Sequence, residues 1–178
     1  LYGSAAGIAG VIGLVALYRG LAVGRMGVVA PVAAVVSAVV PVVASIFIEG
    51  LPSMQQLVGF GLAVAAIWLL SGGNNDSPIK IPDLGLPVIA GLGFGLFFIL
   101  IDRVSDGAVF WPLFAARVAS IALLLVFVSL TRQTVKPHVR QLPIIALAGV
   151  FDSGGNAFFT LAAQLGRLDI AAVLSSLY

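Results

Sequence analysis

The chain is a succession of apolar runs, each about as long as a bilayer is thick, and that property excludes most folds. A helix needs about 20 residues to cross the hydrocarbon core. Six such runs, at residues 1–23, 28–48, 54–71, 84–101, 108–130 and 142–165, follow one another, and a seventh begins at Leu168. All seven read as helices. The fold class expected is an all-α membrane protein, a multi-span helical bundle. Composition agrees, since 61% of residues are hydrophobic and 9% charged, against roughly 25% charged in a soluble domain. The net charge of +2 and the pI of about 9.4 come from few ionisable groups without a basic cluster, so no nucleic-acid partner is implied. The absence of cysteine removes disulfide frameworks and thiol metal sites. The opening LYGSAAG has no basic segment, so the first run does not read as a signal peptide.

The connections are legible from their turn residues. Gly24-Arg25-Met26-Gly27 makes a tight turn between the first two helices. Pro31 falls in the first turn of the second helix, where it is tolerated, and Pro41 deep inside is expected to kink it. GGNNDSPIKIPD at 72–83 is the one long polar interval and the expected boundary between two halves. Small residues recur at Gly3, Gly7, Gly10 and Gly13, and at Gly91, Gly93 and Gly95, which predicts close helix packing rather than ligand contacts.

The two halves echo each other. Gly7, Gly13 and Gly24-Arg25 match Gly149, Gly155 and Gly166-Arg167 at one constant offset of 142 positions without gaps, the form in which transporter repeats appear. On that offset the chain is expected to be part of a longer protein of about ten spans in two five-helix halves. Because five is odd, the halves lie in opposite orientations in the bilayer.

Residues 16–70 also resemble the latter part of an EamA repeat of the drug/metabolite transporter superfamily. The features that carry the resemblance are Ala30-Pro31, the second proline Pro41, the Glu49-Gly50 corner, and Leu51 with Gln55 or Gln56 and Gly59. LAAQLGRLDIAAVLSSLY resembles the same point of a second repeat, and Arg117 falls where that family often has an Arg. The resemblance implies a ten-helix inverted-repeat (5+5) fold and secondary transport, usually export, of small metabolites or drugs across a bacterial plasma (inner) membrane. On it, residues 1–71 are the last three helices of a first EamA repeat and 72–83 the inter-repeat loop. Residues 84–178 are then the first three helices and the start of the fourth of a second repeat. The partners implied are a small-molecule substrate, the lipid bilayer, protons as coupling ion and a second copy in a homodimer, with no cofactor.

Candidate site residues are the polar groups that the apolar runs cannot leave in lipid. Arg117 lies nine residues into its run, about 14 Å along the axis, and an Arg at a helix centre costs roughly 2.5 to 3.5 kcal/mol on insertion scales. Asp152 lies ten residues into the next, antiparallel run, about 15 Å from the opposite surface, so the two charges are expected to meet near the midplane. They read either as a structural ion pair or as a site in which Arg117 takes a substrate anion and Asp152 a cation or proton. Substrate occupancy would then govern proton occupancy of Asp152. Asp152, Asn156, Thr160 and Gln164 are four apart and form one drifting polar stripe expected to face a cavity. Arg19, near the end of the first helix, is within snorkelling reach of the interface, and Glu49 sits at a helix corner as a further coupling candidate. Trp68, Trp111 and Tyr178 read as interfacial or packing aromatics, and His138 as solvated in a basic loop.

Neither H-E-x-x-H nor G-x-S-x-G occurs, so no enzyme is expected. A non-transporting membrane scaffold or assembly subunit is the alternative, although it leaves the midplane charges without a role. Charge counting and the family pattern assign opposite orientations. Arg25, Lys80, Arg132, Lys136 and Arg140 gather on the side of the first turn and would make it cytoplasmic, whereas the family pattern places that turn outside.

Overall fold

The computed structural model describes residues 1–23, 26–48, 50–71, 84–104, 110–131 and 138–176. Its elements are α1 (Tyr2–Val23), α2 (Met26–Ile48), α3 (Met54–Ser71), α4 (Gly85–Asp102), α5 (Phe110–Thr131), α6 (Leu142–Leu165) and α7 (Leu168–Ser175), with a 3₁₀ turn at Val139–Gln141 before α6. No strand occurs among the described residues. Five helices (α1, α2, α4, α5 and α6) are long and apolar enough to cross a membrane, and the apolar segment Met54–Ala66 of α3 is shorter. The helix ends fall within about two residues of those expected from the apolar runs. α2 stays helical through both Pro31 and Pro41.

α4 is the hub, and its glycines explain why. Gly91 and Gly95, one turn apart, sit against α2, where a Cβ on Gly91 would lie 2.5 Å from Val36 Cβ and one on Gly95 would lie 2.7 Å from Val40 Cβ. Gly93 is rotated onto another face and meets the backbone of Gly13 on α1. LGFGLFF therefore offers two helices a near approach at once, on opposite sides of one turn. α1 uses its own small residues in the same way. A Cβ on Gly3 would lie 2.8 Å from the Pro112 carbonyl oxygen of α5, and one on Gly7 would fall onto the Ala116 carbonyl. Ser120 of α5 ties that contact, its hydroxyl lying 3.0 Å from the Gly7 carbonyl oxygen and 2.8 Å from that of Ala116. The glycines expected to pack do so.

Successive contacts fix the directions of the helices. Gly20 near the end of α1 meets Val29 near the start of α2, so the two form an antiparallel hairpin. Arg167, just beyond α6, donates to the Gly50 carbonyl just beyond α2, which puts the ends of α2 and α6 at the same end of the bundle. α1 and α6 therefore run in opposite directions. The buried core is small and lies where α1, α4, α5, α6 and α7 converge on Ala6, Phe98, Ile101, Ala116, Phe159 and Leu168. Outside it the surface is largely Leu, Ile, Val and Phe, as lipid-facing helices require and water-facing ones do not.

Candidate functional site

Arg117 and Asp152 are brought together. Arg117 is seven residues into α5, about 10 Å along the axis, and Asp152 ten residues into α6, about 15 Å from the other side. Nη2 of Arg117 lies 2.5 Å from Oδ2 of Asp152. The contact is an ion pair without hydrogen-bond geometry, because Nη2 is buried and makes no hydrogen bond to any described residue. The pair also stands at the edge of the bundle, with the Asp152 side chain 60% exposed and that of Arg117 37%. A carboxylate ten residues into an apolar helix is costly to leave against hydrocarbon. The guanidinium, held by Asp152, is not presented to an anion here.

The stripe on α6 turns inward from Asp152 to Thr160 and comes out again at Gln164, which is exposed. Asn156 is half-buried, and Thr160 is wholly buried with its hydroxyl donating to the Asn156 carbonyl at 2.8 Å. Thr160 is thus satisfied within its own helix. Phe159 beside it stacks at 4.3 Å on Phe98 of α4 and anchors α6 to the core, while Phe151 and Phe158 are exposed. Arg19 is exposed near the end of α1, as a snorkelling side chain is. Glu49, Tyr178, the 72–83 loop and the side chain of Trp68 lie outside the described residues. Trp111 is exposed and packs edge-on against Phe114, and His138 is exposed, its backbone N–H donating to the Gln141 side chain.

Two features were not anticipated from the residues. The first is Asp169, a carboxylate with no exposed surface in the first turn of α7. Arg167 donates to both its oxygens at 3.1 to 3.3 Å, the Ile170 N–H donates to Oδ1 at 2.8 Å, and Arg167 also reaches the Gly50 carbonyl at 3.2 Å. Gly50 itself has φ of +87°, a conformation open to glycine at little cost, and it aims its carbonyl at the guanidinium. The second feature is a cavity of about 110 Å³ between α1, α2, α4 and α7, walled by Leu17, Phe94, Phe98 and α2 alanines and edged by Ser37, Ser175 and Ser176. A smaller cavity of about 70 Å³ between α2, α3 and α7 shares the Ser176 wall. Arg117, Asp152, Asn156 and Thr160 line neither. The only signals in the sequence were serines within apolar runs.

A bundle of apolar helices that buries small residues between its members and leaves large ones outside is a multi-pass membrane protein. No protein-family model, curated protein or solved structure matches the chain.

Proposed function

We propose that the protein is a secondary transporter of small molecules, a 5+5 inverted-repeat exporter of the EamA type in a bacterial plasma membrane, with Arg117 and Asp152 as its coupling pair. The observation that carries this reading is the ion pair itself, formed by two long hydrophobic helices that hold no other charged residue. Charges at membrane depth often mark ion and substrate pathways. The opposed directions of α1 and α6 support the repeat. So does a contrast between matched glycines: Gly7 and Gly13 of α1 are closely packed by α5 and α4, whereas a Cβ on Gly149 or Gly155 of α6 would meet nothing within 4 Å. In the repeat, helices equivalent to α4 and α5 cover that face of α6 and enclose Asp152.

The test is proton flux in vesicles containing the protein and a trapped pH-sensitive dye, challenged with a panel of labelled small metabolites. Flux driven by at least one solute, lost in Asp152→Asn, is the expected result. Flux that survives Asp152→Asn unchanged removes Asp152 from coupling and moves attention to Glu49. No solute-driven flux at all leaves the scaffold reading.

A further inference from the structure

The cavity between α1, α2, α4 and α7 has a chemistry that narrows what it can hold. Two of its three serines have committed their single proton. Ser37 Oγ donates to the Ala34 carbonyl and Ser176 Oγ to the Val173 carbonyl, both at 2.8 Å, so each oxygen is left as an acceptor. Pro41, wholly buried one turn beyond Ser37, has no N–H, and the acceptor it leaves without a helical donor is the Ser37 carbonyl. The Ser175 hydroxyl has no hydrogen bond among the described residues and keeps its proton to donate. The remaining wall is Leu17, Phe94, Phe98 and alanines, and none of the lining residues is charged.

We propose that this cavity is a binding site for small uncharged molecules bearing a hydroxyl group on an apolar body of at most about six heavy atoms, since at about 110 Å³ it is smaller than the apolar cavity of roughly 150 Å³ that takes up benzene. A hydroxyl donates once and accepts in return, which matches acceptors at Ser37 and Ser176 and a donor at Ser175. A cation or an anion would be desolvated without a counter-charge. Water finds its two to four polar partners along the serine edge, but it leaves the Leu17, Phe94 and Phe98 wall without apolar contact, which a hydroxyl on an apolar body fills. As a substrate site the assignment rests on the transport reading; as a binding site it stands apart from it.

Phenol is the probe, titrated calorimetrically into the purified chain in lipid nanodiscs, with empty nanodiscs as the partition control. Saturable one-to-one binding is expected, with benzene and benzoate each at least about threefold weaker. Ser37→Ala and Ser176→Ala should each weaken phenol by about three- to tenfold, the range for one lost hydrogen bond. Their helicity by circular dichroism should match the parent's. Heat no different from empty nanodiscs, or equal affinity for phenol and benzene in the unmodified protein, overturns the proposal, and neither comparison depends on a variant folding. Phenol binding without solute-driven flux in the vesicle assay would discard the transport reading alone. Flux without phenol binding would discard this site alone.

Discussion

Arg117 and Asp152 can be separated energetically because each makes its charged contact with the other. Removing one partner strands an ion inside the membrane, whereas removing both leaves only apolar surface, and the second is regularly the milder change. Arg117→Leu or Asp152→Leu alone should lower stability by about 1 to 2 kcal/mol, between the costs for an exposed and a buried pair because both side chains are partly exposed, and the double variant by less than either. Thermal unfolding of the four proteins in one detergent gives the coupling energy. Additive losses would mean that the 2.5 Å contact contributes nothing. Asp169 makes a stronger case at the same scale, since its carboxylate is fully buried and receives three donors, whereas Arg167 is 27% exposed. Asp169→Ala is expected to cost about 3 kcal/mol, the low end for breaking a buried pair because water still reaches the guanidinium. Asp169→Asn, which keeps the acceptor, should lose less in the same assay.

Among the elements, the pairing of α1 with α5 is decided by the absence of one methyl group. A side chain at Gly7 would collide with the Ala116 backbone, which cannot swing aside as a side chain can. Gly7→Ala should therefore push the helices apart, weaken the Ser120 hydrogen bond to the Gly7 carbonyl and cost at least about 1 to 3 kcal/mol, as overpacking does. Gly149, the match of Gly7 on α6, has open space around it, so Gly149→Ala in this chain should be neutral or stabilising by up to about 1 kcal/mol through helix propensity. Thermal unfolding of the two variants checks the contrast. The helices themselves were legible to within a residue or two, with α6 running from Leu142 to Leu165 as its apolar run does. The Gly91, Gly93 and Gly95 series was legible as a packing surface but not as two surfaces. Which neighbour each glycine meets depends on rotation about the α4 axis, and no window of sequence reports that.

At the scale of the whole molecule α1 runs against α2 and α6, an alternation across the membrane that the lack of cysteine makes testable without background. Gly50 and Gly166 belong to one end of the bundle and His138, before α6, to the other. Single cysteines at Gly50 and Gly166 should react with an impermeant maleimide from the same face of a sealed vesicle, and one at His138 from the opposite face. Labelling of all three from one side would break the alternation. The same experiment resolves the opposed orientations implied by charge counting and by the family pattern, because it reports which face is cytoplasmic.

The positions of the helices, their extents and their preference for lipid follow from residues taken a run at a time, although five of the six membrane-length runs, and not the α3 run, are long and apolar enough to cross among the described residues. A helix in hydrocarbon satisfies its backbone hydrogen bonds within itself, so hydropathy and length suffice to locate it. The meeting of Arg117 with Asp152 followed nearly as directly, since depth along two adjacent antiparallel helices is a matter of counting residues. The tertiary structure alone decided that Asp169 is buried and that Arg167 reaches Gly50, 117 positions away. It alone gathered Ser37, Ser175 and Ser176 around one cavity. Both depend on which helix faces meet, and in lipid that choice rests on the close fit of small residues between partners far apart in the chain rather than on hydrophobicity, which every face here shares.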